Sequence, residues 1–124
     1  MDFVQQSGSN LFVGAVTIAA GESVSELFDT HGFAIVGILM PAAWDAAKLR
    51  LNAAIASDGT PVPVKKTNGV EWQVEADVDQ YITLVGEDVA YAPYLQLLSD
   101  NGAGVAVAQT AARTLTLVLR RYLS

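Results

Sequence analysis

Apolar and polar positions alternate with a period of two along most of this chain. From Lys48 to Ser57, Leu49, Leu51, Ala53 and Ile55 fall on one side, and Lys48, Arg50 and Asn52 on the other. Thr114 to Leu119 alternates in the same way, as does Val70 to Ala76, with Val70, Trp72 and Val74 on one side. A period of two puts successive side chains on opposite faces of a half-buried strand. Leu11 to Ala19 is rich in β-branched and aromatic residues and predicts a further strand. Ser23–Phe28, Gln80–Val85, Tyr94–Ser99, Val105–Gln109 and Arg113–Tyr122 complete the set. Pro61 and Pro63 confine the stretch from Pro61 to Lys66 to a sheet edge or a loop. Turn signals recur about every ten residues, the spacing of a sandwich or barrel. They include Ala20-Gly21-Glu22, Asp29-Thr30-His31-Gly32, Ser57-Asp58-Gly59-Thr60 and Gly86-Glu87-Asp88. The expected fold is all-β, an antiparallel β-sandwich of about eight or nine strands.

One stretch breaks the alternation. Phe33 to Met40 is apolar at every position. A run that short predicts a strand covered on both faces, by the core on one side and by a helix, a loop or another subunit on the other. Val36, Ile38 and Met40, with Trp44 in the turn beyond Pro41, are therefore the candidate interface residues. Pro41 to Ala47 predicts about one helical turn with proline at its start. Residues 46–56 contain good helix formers, but the alternation from Lys48 to Ile55 favours a strand. Leu49, Leu51, Ile55, Leu115 and Leu117 are the expected core.

Thr67-Asn68-Gly69 signals a hairpin. A two-residue Asn-Gly loop would set Lys65 opposite Trp72 and turn Val62 and Val64 away from Val70, Trp72 and Val74. A three-residue loop instead pairs Val64 with Trp72, Val62 with Val74 and Lys65 with Glu71. Burial pattern decides register, so the three-residue loop is expected, with Gly69 as the left-handed bulge residue.

A chain of 124 residues predicts one domain able to bury a core without a disulfide or metal staple. Residues 1–10, ending in Gln-Gln-Ser-Gly-Ser-Asn, predict a mobile arm, and residues 11–124 the domain. Apolar residues make up 52% of the chain and charged residues only 16%, so part of the surface is suited to another protein rather than to water. The net charge of −6 and the lack of a basic stripe argue against nucleic acid as a partner. The chain has no cysteine. No secretory leader is visible at Met1 to Gln6, and Phe33 to Ala43 is too short to span a bilayer.

No pattern of residues carries catalytic chemistry, so no catalytic, cofactor-binding or metal-ligating residue is assigned and no cofactor is expected. His31, the single histidine, sits in a turn signal with no identifiable nucleophile or orienting partner. Glu75, Asp77 and Asp79 alternate as calcium ligands can, but the glycine and glutamate of the EF-hand loop are missing. Gly102-Ala103-Gly104 lacks the Lys-Ser/Thr and the strand–helix context of a phosphate loop. Trp44, Trp72, Tyr81, Tyr91 and Tyr94 could stack on a sugar or a partner, with Trp72 assigned instead to the core by its alternation.

Three stretches together resemble a group of tailed-bacteriophage virion accessory proteins. They are Gly37-Ile-Leu-Met-Pro-Ala-Ala-Trp44-Asp-Ala-Ala, the following Leu49 to Gly59, and Ala108-Gln109-Thr-Ala-Ala-Arg113-Thr-Leu-Thr-Leu-Val118. The resemblance covers under half of the chain, and the motifs are structural. It implies a jelly-roll-like sandwich and a non-enzymatic place in the virion, as a capsid decoration (cement) protein or the base of a head fibre. It also implies a homo-oligomer, with a trimer favoured because such proteins often occupy three-fold positions. The partner would be the major capsid protein or another virion protein, with neither nucleic acid nor membrane bound. The alternative is a carbohydrate- or receptor-binding module of a tail or fibre, since jelly rolls host both.

Overall fold

A computed structural model describes residues 3–6, 10–85 and 91–121. Two antiparallel sheets face each other as a β-sandwich, and no helix occurs among the described residues. The strands are β1 (Val4–Gln5), β2 (Leu11–Ile18), β3 (Phe28–Asp29), β4 (Phe33–Leu39), β5 (Lys48–Ala54), β6 (Val62–Pro63), β7 (Gln73–Val74), β8 (Tyr81–Thr83), β9 (Tyr94–Asp100) and β10 (Arg113–Arg121). The first sheet runs β1-β2-β10-β4-β8, and the second runs β3-β9-β5-β6 with β7 also on β5.

Inward positions of the two sheets form one apolar layer. Ile18, Ile35, Ile38, Leu115, Leu117 and Leu119 come from the first sheet, and Leu49, Leu51, Leu95, Leu97 and Trp72 from the second side. All are essentially sealed from solvent. Fully burying an aliphatic side chain of this size stabilises the fold by roughly 1.5–3 kcal/mol relative to exposure. Leu49, Leu51, Leu115 and Leu117 are core residues as expected. Ile55 is not: β5 ends at Ala54, the chain turns, and the Ile55 side chain is 89% exposed. The alternation was read one residue past the end of the ladder.

The all-apolar run on β4 has a local cause. Val118 pairs with Gly37 but Leu119 pairs with Ile35, so Val36 is the extra residue of a β-bulge. The bulge lets Ile35 and Ile38, three positions apart, both enter the core, followed by Met40. On the outer side Ala34 and Gly37 are buried as well, so most of the run is covered on both faces, as expected. Leu39, on the outer side, is 46% exposed.

The Thr67–Gly69 hairpin has the expected three-residue loop. Lys65 opposes Glu71, Lys66 N–H donates to the Val70 carbonyl, and Gly69 has φ +85°. Trp72 N–H donates to the Val64 carbonyl. Beyond that point the arms part. Val62 and Pro63 pair with Ala53 and Asn52, and Val74 and Gln73 with Leu49 and Arg50. The hairpin is thus an excursion from one interrupted edge strand running along β5. Val62 and Val70 are exposed rather than inward, because only the middle of the excursion, at Trp72, reaches the core.

Other differences are smaller. Pro41 to Ala47 forms no helical turn, because side chains from elsewhere hold its backbone, as described below. Ser23–Phe28 and Val105–Gln109 contribute isolated bridges at Val24, Ser25 and Ala106 in place of full strands. Within the segment read as an arm, Val4 and Gln5 pair with Val13 and Phe12. The turn at Gly86–Asp88 lies outside the described residues.

Candidate functional site

Strand register fixes which side chains share a face, because directly paired residues point the same way. Across the first sheet, Val4, Val13, Val118, Gly37 and Thr83 lie in one continuous row. The next row is Ala15, Thr116, Leu39 and Tyr81. Leu11, Arg120 and Ala34 form a third, and Thr17 with Thr114 a fourth. These rows face away from the core. Arg120 is the one charged residue in them. Val4, Leu11, Leu39 and Tyr81 rank among the exposed large apolar residues. Thr17 and Thr114 hydrogen-bond to each other, at 2.9 Å between hydroxyls. At the centre the surface is low: a Cβ on Gly37 would lie 2.1 Å from the Tyr81 hydroxyl, so the Tyr81 ring extends over the bare glycine.

The outer face of the second sheet has the opposite chemistry. Arg50, whose side chain is 13% exposed, is ion-paired with both Glu71 and Asp100. Asn52 donates to Gln96 at 3.0 Å, and Gln96 donates to the Ser25 carbonyl at 2.9 Å. Lys48 pairs with Glu75 at 3.3 Å. Two adjoining hollows of about 290 and 230 Å³ flank Arg50, between the Thr67 hairpin and the 101–106 loop. The guanidinium that could attract an anion there is already held by two carboxylates.

A third cluster joins the 41–47 connection to residues 109–113. Asp45 N–H donates to the Gln109 side-chain oxygen at 2.8 Å, and Gln109 donates back to the Asp45 carbonyl at 3.2 Å. The Asp45 carboxylate accepts from Thr110 N–H and hydroxyl at 3.1 Å each and from Arg113 at 2.6 Å. Arg113 Nε also donates to Gln109 at 3.2 Å. The Arg113 hydrogen bond, then the Thr110 N–H, hold the Asp45 carboxyl below its usual range. Gln109 is fully buried with its polar atoms satisfied. This clasp fixes the 41–47 connection to the start of β10.

The sequence-based candidates fall unevenly on this map. Ile38 and Met40 are taken by the chain's own core and have no surface to offer a partner. Val36 is half-buried at the bulge. Trp44 is half-buried, packs on the core and donates Nε1–H to the Ala47 carbonyl at 3.1 Å. The residue of β4 that does reach the outer face is Leu39. The aromatic candidates do not form one platform. Trp72 is buried, Tyr81 lies on the first sheet, and Tyr91 and Tyr94 share a separate hollow of about 260 Å³ with Asp29 and Pro93. His31 has φ +54°, its N–H donates to Asp29 at 2.8 Å, and its ring meets Phe3 edge-on. Phe3 continues to Phe33 and Phe12, over which Arg121 lies 5.5–5.9 Å from the ring centres. Among the described residues no group of three or more acidic or histidine side chains is placed to hold a metal.

The outer face was the part that sequence reasoning missed. The signal was present in Thr114, Thr116 and Val118: the solvent-side positions of an alternating strand, normally charged, carry threonine and valine here. Compared with protein-family models, curated proteins and solved structures, the chain matches none.

Proposed function

We propose that this chain is a non-enzymatic structural protein of a tailed-bacteriophage virion, a capsid decoration protein or head-fibre base that works by self-association and docking on the shell. The observation that carries this reading is the outer face of the first sheet, a broad apolar and hydroxyl-bearing surface with Arg120 as its one charge. Contiguous surfaces of this kind mark contact with other proteins. The resemblance to virion accessory proteins supplies the setting, and the Asp45–Gln109–Arg113 clasp gives two of its motif stretches a shared structural purpose.

Cosedimentation with assembled, undecorated capsids tests the proposal. Saturable binding of the intact chain is the expected result. Binding to a glycan array without any binding to capsids would replace it with the carbohydrate-module reading.

A further inference from the structure

The outer face of the first sheet is poor in charge, and a hollow of about 500 Å³ opens at its β2 edge, where Ala15 and Thr17 meet the 26–29 segment. On either side of the central β10, Ala15 is short and Gly37 lies under the Tyr81 ring, while Leu11, Leu39 and Tyr81 stand exposed. A flat apolar sheet is best matched by another flat apolar sheet, since two such faces pack about 10 Å apart with side chains interdigitating. The chain carries a net charge of −6, and the outer face of its second sheet is occupied by ion pairs. Among the described residues, the surface whose chemistry complements this face is the same face on another copy.

Building on the assembly reading, we infer that the outer face of the β1-β2-β10-β4-β8 sheet stacks on itself, pairing two copies of the chain about a twofold axis. This is an isologous contact, in place of the three-fold arrangement implied by the resemblance. An axis crossing the strands at Val118 seats Arg120 of each copy over Thr116 of the other, which separates the two guanidinium groups. The 29 strand residues of this sheet, each covering about 3.4 by 4.8 Å, span roughly 470 Å², so two stacked faces remove a little under about 1,000 Å² from water, close to the threshold for a specific interface.

Light scattering of the intact chain at tens of micromolar should give twice the 13.1 kDa chain mass. Ala15 is exposed on the outer face, so Ala15→Glu buries a carboxylate only in the pair. It should weaken self-association by at least about tenfold while leaving the melting temperature of dilute protein unchanged. Thr17→Lys serves as a second probe of the same face. The chain has no cysteine, so Val118→Cys introduces a unique thiol. A short bis-maleimide should link it into dimers, while Asp58→Cys, in an exposed turn, should stay unlinked.

A trimeric mass, or a dimer that survives both charge substitutions, overturns the inference. Capsid binding is scored separately. A pair that ignores capsids leaves this inference standing and removes the virion reading. A monomer that binds capsids overturns this inference and leaves only the docking part of the virion reading standing.

Discussion

The two outer faces of this sandwich are made of similar backbone and opposite side chains. On the second sheet, charges are abundant and spent on each other: Arg50 with Glu71 and Asp100, Lys48 with Glu75. On the first sheet, Arg120 stands nearly alone among valine, alanine, threonine and leucine. The charged face is held together from within by side chains that cross between strands and loops. On the uncharged face the Thr17–Thr114 pair supplies a hydrogen bond of that kind. The charged face therefore contributes to the stability of the single chain, and the uncharged face is free to contribute to the stability of an assembly. Net composition alone shows too little charge. The structure shows that the shortage is concentrated on one side.

The sharpest way to break this contrast is at Arg50. Arg50→Ala strands the Asp100 carboxylate, which is 8% exposed, and should cost about 3 kcal/mol in chemical denaturation. A change of less than about 0.5 kcal/mol would mean that the charged face is as dispensable as an ordinary surface.

Acid should separate the Asp45 clasp from the uncharged face. The folded chain holds Asp45 below its ordinary carboxylate value, chiefly through the Arg113 hydrogen bond. Its contribution is thus fully present above the unfolded value and is lost as the pH falls through the folded one. Asp45→Asn should be less stable than the parent at neutral pH, and the difference should shrink in acid titrations followed by circular dichroism. Across the same range the outer face has no carboxylate to protonate, so pairing through it should be unchanged wherever the fold survives.

The smallest effect belongs at Gly37. In Gly37→Ala the added methyl would meet the Tyr81 hydroxyl, and Tyr81, 53% exposed, is free to swing aside. The melting temperature should move by no more than about 4 °C while the Tyr81 ring resonances shift clearly. A large loss of stability would show that the ring is held in place by the sheet rather than resting on it.

Much of the fold was legible because it is local. Alternation at Lys48–Ala54 and Thr114–Leu119 located β5 and β10, and the Thr67–Gly69 turn gave the correct Lys65–Glu71 register. Three features were hidden because they depend on partners distant in sequence. The bulge at Val36 exists only relative to β10, so the one-residue shift midway along Phe33 to Met40 could not be read from the run itself. Ile55 continued the pattern of β5 beyond the end of its ladder. Asp45 and Gln109 meet across 64 residues, and nothing in either stretch announces the other. The site was legible only as a strand, β4, and not as the correct side chains on it. Interface candidates chosen for hydrophobicity were drawn to Ile38 and Met40, which the core had the stronger claim to bury.

Among the described residues, every edge strand is short. β1 and β3 have two residues each, β8 has three, and the fourth edge is broken into β6 and β7 with Pro61 and Pro63 beside it. Long bare edges are templates on which strands add without limit, the route to fibres and amyloid-like growth. Fragmented edges close that route, so an apolar face of this breadth can be carried at high concentration in a crowded cell. Under the proposed pairing, growth through the face stops after one addition, since stacking two copies covers it.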